Sequence, residues 1–164
     1  DYDAGCILGV ANGPVIVGDE MWVYYTAITT THGGYLPVKK ITIARASWPL
    51  GRFVSLDAAR EGAPEAGVVE TKPFTLPGTR LFVNADASGD AGGASGELRV
   101  EVLDANGMPI PGYEAANCVP VHSDGLRHEI AWKGHKDLKD LKDAKDIRLR
   151  FHLKNASLFS YMFA

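Results

Sequence analysis

Five histidines, two cysteines and twenty acidic residues are the groups in this 164-residue chain that could hold a metal or move a proton. His122, His128, His135 and His152 form no HxH or HxxxH pair, so the spacing at which two imidazoles share a zinc ion is absent. Ser55, Ser88, Ser95, Ser123, Ser157 and Ser160 all lie outside any GxSxG turn, the context that exposes a nucleophilic serine on an α/β sheet. Glu97 and Glu101 fall on one face of a strand, and the strand rise sets them about 13 Å apart. Glycoside hydrolysis needs its two carboxylates at about 5–9.5 Å. No catalytic residue is assigned. Asp86 and Asp90, in the glycine-rich loop Asp86–Gly96, are the best oxygen donors for calcium, with Asp57, Glu61 or Asp104 in support. A calcium ion takes about six to eight oxygens, and the loop lacks DxDxDG density, so it reads as a bare loop with no metal or cofactor. Cys6 and Cys118 stand outside any CxxC; they read as small buried hydrophobes, with a disulfide as the other reading.

Composition narrows the partners. Seventeen basic against twenty acidic residues give a net charge of −3, which excludes the basic footprint of a nucleic-acid binder. No apolar run approaches the roughly 20 residues of a membrane-spanning helix, so no membrane partner is expected. The chain opens on Asp1 without a charged-then-apolar leader, and the expectation is that it starts inside a longer gene product.

The elements that must position these groups are strands. Ile147–Leu153 alternates apolar and charged residues without exception, and Leu98–Val102 does the same. Leu81–Val83 and His128–Trp132 fit less strictly. Period two marks half-buried strands, and many short ones mark a sandwich or barrel. Turn chemistry agrees, with Gly18-Asp19 between two apolar runs and Asn106-Gly107 after Leu98–Leu103. In Lys136–Asp146, four lysines cancel four aspartates while Leu138, Leu141 and Ala144 recur every third residue. That suits a short 3₁₀ crossover with its charges in water.

A break at Trp48-Pro49-Leu50-Gly51 divides the chain. Residues 1–50 read as a three-stranded antiparallel sheet (Pro14–Val17, Met21–Ala27, Lys40–Ala46), and residues 51–164 as an antiparallel, jelly-roll-like β-sandwich. Three short strands alone are marginally stable and leave an edge open.

The run Asn12–Thr26, followed by Ile41-Thr42-Ile43-Ala44-Arg45-Ala46, resembles the last blade of the five-bladed β-propeller glycosidases of families 32 and 43. Gly51–Ala58 resembles the link those proteins make to a C-terminal β-sandwich, which Leu98–Tyr113 and Ile147–Phe163 are similar to. The resemblance implies upstream blades of the same protein as partners, carbohydrate as ligand, and an extracellular or periplasmic location. Catalytic carboxylates of that family sit in earlier blades, and no position here matches their motifs.

By hairpin geometry, Asn12 and the loop Thr29–Tyr35 would share one rim, where the resemblance implies substrate contact. Asn12, His32 and Tyr35 are therefore candidate sugar ligands, whereas Trp22, Tyr24 and Tyr25 read as blade packing. The functional expectation is a non-catalytic, carbohydrate-associated sandwich module that props the propeller. Rival readings are a structural or homo-oligomerising module pairing through the strand edges at Lys40–Ala46 or Ser157–Phe163, and a self-contained glycoside hydrolase.

Overall fold

Residues 1–35, 37–58, 66–89 and 93–164 are described by a computed structural model. Asp90 and Glu61 of the calcium reading lie outside these residues. The class is all-β: among the described residues there are eleven strands and one 3₁₀ turn, arranged in antiparallel sheets. Two compact units divide the chain, Asp1–Arg52 and Phe53–Ala164.

The first unit is one four-stranded sheet. Its spine is β3 (Glu20–Ile28), paired over its whole length with β4 (Ile41–Pro49). On the other side β2 (Val15–Val17) covers the first half of β3, and β1 (Cys6–Val10) the second half. The β2–β3 hairpin closes Val17 onto Glu20 through Gly18 and Asp19. Gly18 sits at φ 59, a left-handed conformation that costs glycine least. The sheet thus holds one strand more than the three expected. Cys6-Ile-Leu-Gly-Val10 shows no period-two signal, and a register shift between Ile7 and Gly9 interrupts its pairing. At the amino-terminal end of the unit, the Tyr25 hydroxyl donates to Asp3 Oδ2 at 2.8 Å.

The second unit is a sandwich of two sheets. One has the order β6-β10-β8 (Ala66–Glu70, Arg148–Lys154, Glu97–Leu103). The other runs β5-β11-β7-β9 (Leu56–Asp57, Ser157–Phe163, Leu81–Asp86, Asp124–Glu129). Alternation puts Leu98, Val100 and Val102 of β8 and Leu149, Phe151 and Leu153 of β10 inward, and all six are buried. Leu81, Val83 and Ala85 of β7 and Leu158 of β11 meet them in the same core. Trp132 is buried there, its indole N–H donating to the Val100 carbonyl at 2.9 Å. The strand expected at His128–Trp132 runs instead from Asp124 to Glu129, and Trp132 continues into bridges with Cys118 and His135.

Two further expectations resolve in this unit. The crossover is a 3₁₀ turn at Lys139–Leu141; Leu138 is buried, and Leu141 and Ala144 pack on the core, as their three-residue spacing requires. Ser157–Phe163, expected as an open edge, is covered on its second side at its first two residues. It pairs with β7 along its length and with β5 at Ser157 and Leu158.

Phe151 is 1% exposed at the centre of the core, whereas Ile43 in the first unit is 78% exposed. Truncating Phe151 to Ala is therefore expected to destabilise the sandwich by about 3–5 kcal/mol. Ile43→Ala is expected to change stability by less than about 0.5 kcal/mol. Urea denaturation of both variants checks the contrast.

Candidate functional site

The three candidate sugar ligands are not brought together. Because β1 and β2 lie end to end along β3, Asn12 sits at the break between them, just after Ala11, whose N–H donates to the Tyr24 carbonyl. The loop that holds His32 and Tyr35 begins beyond Ile28, about 16 Å further along the sheet by strand rise. His32 and Tyr35 do share that loop, where the His32 carbonyl accepts the Lys39 ammonium and the Tyr35 carbonyl accepts the Lys39 N–H. A shared rim requires a simple hairpin, and the extra strand β1 displaces one of its members.

What the first unit does present is a sheet with apolar side chains on both faces. Residues directly opposite across strands share a face. Met21, Val23, Tyr25 and Ala27 of β3 therefore stand with Trp48, Ala46, Ala44 and Thr42 of β4, and Met21, Tyr25 and Ala27 stand with Ile16, Val10 and Ile7 across the other seam. The reverse face carries Glu20, Trp22, Tyr24, Thr26 and Ile28 opposite Pro49, Ser47, Arg45, Ile43 and Ile41, with Val17 and Val15 across the other seam. Arg45 lies over the Trp22 ring at 4.0 Å, a cation–π contact on that reverse face. Ile7, Val10 and Ile16 on one side, and Val15, Ile41 and Ile43 on the other, are each at least half exposed.

In the sandwich, titratable groups gather on the outer face of β6-β10-β8. Register aligns Glu70, Arg150 and Glu101 in one row across the three strands. Arg150 bridges the two acids, with Nη2 at 2.9 Å from Glu70 Oε2 and Nη1 at 3.0 Å from Glu101 Oε1. His152 Nε2 lies 2.9 Å from the same Glu101 oxygen, and the Ala115 N–H donates to its other oxygen. Arg148 adds a second cation to Glu70, and Arg99 pairs with Glu97. Burial pushes the Glu101 carboxyl up, but hydrogen bonds from His152, Ala115 and Arg150 together outweigh it and hold the group below the ordinary range. Hydrogen bonds from arginine likewise hold Glu70 and Glu97 low. Such carboxylates stay ionised at neutral pH, the opposite of what a glycosidase's general acid requires. The sequence pattern marked Glu97 and Glu101 as alternating polar positions, but the Glu70–Arg150–Glu101 row exists only through strand pairing.

The calcium reading finds little footing. Asp86 Oδ1 accepts both the N–H and the hydroxyl of Ser88, closing its own turn. Asp104 Oδ1 is likewise taken by the amides of Asn106 and Met108. No three His, Cys, Asp or Glu side chains among the described residues are grouped so as to hold a metal. Both cysteines are free. Cys118 is buried, its Sγ accepts the Val100 N–H at 3.2 Å, and burial pushes its thiol pKa up.

An apolar groove of ≈ 330 Å³ opens in the sandwich beside Leu56, Val69, Phe151, Leu158 and Tyr161. Of its hydroxyls, Thr71 Oγ1 is already engaged by the Leu149 N–H. Compared with protein-family models, with curated proteins and with solved structures, the chain matches none of them.

A carboxyl held low in the folded state adds stability above its unfolded pKa and loses it as pH falls through the folded value. Urea melts at a series of pH values should therefore show Glu101→Gln less stable than the parent at neutral pH, by about 1–3 kcal/mol. Below the ordinary glutamate pKa of about 4.3 the gap should narrow.

Proposed function

We propose that this chain is a non-catalytic, carbohydrate-associated part of a larger, exported glycoside-hydrolase-like protein. The sheet of residues 1–52 is one blade of a propeller, and the sandwich is an accessory module carried with it. The observation that supports this reading is the sheet with apolar side chains on both faces. A sheet with one face in water alternates cleanly between apolar and polar residues; one apolar on both sides is a middle layer.

The size of those faces bears on what covers them. The nine residues of β3 make the sheet about 30 Å long. Three strand spacings give a width of about 14 Å, or roughly 420 Å² per face. A stable interface between free proteins needs about 800 Å² from each partner. A neighbouring sheet on the same polypeptide acts at an effective concentration of the order of mM, so half that area suffices. Covalently joined sheets therefore suit these faces better than a free second copy. The carboxylates agree with a non-catalytic role: those of the described residues whose pKa is moved are all moved downward.

The oligomerisation reading keeps one edge. Among the described residues β4 pairs only with β3, which leaves a nine-residue strand at the border of the sheet. Arg45 in its middle, Pro49 at its end and Lys39 and Lys40 before it are the residue types that discourage edge pairing.

Two measurements on the 164-residue protein test the proposal. Sedimentation velocity should show a monomer at micromolar concentration, and aryl-glycoside substrates should not be turned over. A tight oligomer dispersed by Ile43→Asp would transfer the faces to a second copy. Turnover abolished by Glu101→Gln would make the chain a hydrolase in its own right.

A further inference from the structure

Asparagine followed by glycine is chemically labile, because glycine has no side chain to shield its amide nitrogen from the asparagine side chain. The chain has two such pairs, Asn12-Gly13 and Asn106-Gly107. The fold treats them differently.

Asn106-Gly107 is tied into its turn by Asp104. The Asp104 carboxylate accepts the Asn106 N–H at 2.8 Å and the Met108 N–H at 2.9 Å. The attacking atom is itself occupied, since the Gly107 N–H donates to the Asp104 carbonyl at 3.0 Å. Asn12-Gly13 lies exposed at the break between β1 and β2. Among the described residues no hydrogen bond holds the Asn12 side chain or the Gly13 N–H, and nothing crowds the α-carbon of Gly13.

We infer that Asn12 is a site of spontaneous, backbone-assisted deamidation, and that the turn built on Asp104 protects Asn106 from the same reaction. The deprotonated Gly13 nitrogen attacks Asn12 Cγ, forming a C–N bond. The Cγ–Nδ2 bond breaks, and ammonia leaves with the proton. Water then opens the cyclic imide at either carbonyl, giving aspartate or isoaspartate. The overall change is asparagine plus water to acid plus ammonia, without an oxidant or a cofactor. The product bears a new negative charge midway along the sheet, and in the isoaspartate form one more methylene in the backbone between β1 and β2. The inference does not depend on the proposed function.

The test is to incubate the folded chain at neutral and mildly alkaline pH and follow both sites by peptide mass spectrometry. Asn12 is expected to convert several-fold faster than Asn106, faster still as pH rises, and Asn12→Gln should remove the earlier signal. In concentrated urea, where the Asp104 turn is lost, the two rates should converge. Conversion of Asn106 as fast as Asn12 in the folded protein would overturn the inference. So would a rate ratio unchanged by urea, since Pro14 and Met108 alone would then explain the difference.

Discussion

Apolar side chains must leave water, and the two units of this chain meet that demand in different ways. The sandwich meets it internally. Each of its sheets offers an inward row, Leu98-Val100-Val102 and Leu149-Phe151-Leu153 from one side and Leu81-Val83-Ala85 from the other, and the rows bury one another. The sheet of the first unit buries Met21, Ala27 and Ile28, but leaves Ile7, Val10 and Ile16 on one face and Val15, Ile41 and Ile43 on the other at least half exposed. Burying an apolar side chain is worth about 1.5–3 kcal/mol.

Charge is managed with the same economy on the outer face of the sandwich. Glu101 is largely buried, and an unpaired carboxylate there would be costly. Arg150 and His152 approach it from the neighbouring strand, and the Ala115 N–H from the segment after β8. These contacts tie Ala115 to the sheet. Arg99 adds to the same tie by donating to the Cys118 carbonyl at 3.0 Å. The network that neutralises the acids also holds the carboxyls of Glu70, Glu97 and Glu101 below the ordinary range.

Much of the fold was legible along the chain, and for a plain reason. Strict alternation at Leu98–Val102 and Ile147–Leu153 reports a strand with one face in a core, and the structure places β8 and β10 there. The three-residue spacing of Leu138, Leu141 and Ala144 likewise reported a 3₁₀ turn lying on that core. The shared rim of Asn12, His32 and Tyr35 was not legible. It rested on where the hairpin partner of β3 begins, and the shift between Ile7 and Gly9 hides β1 from any period-two reading. Nor could the neighbours of Ser157–Phe163 be read, because alternation tells which side chains turn inward and says nothing of which strands lie alongside.

The sequence by itself determined the class of fold, the main strands and turns, and the want of metal, nucleophile and paired-acid motifs. Each of these depends on residue types within a few positions of one another, where period, turn chemistry and ligand spacing act directly. Only tertiary structure decided that Glu70, Arg150 and Glu101 form one row, that Asn12 stands apart from His32, and that the first sheet carries apolar side chains on both faces. Those facts depend on which strands pair and in what register, and pairing joins residues as far apart in the chain as Asp57 and Ser157.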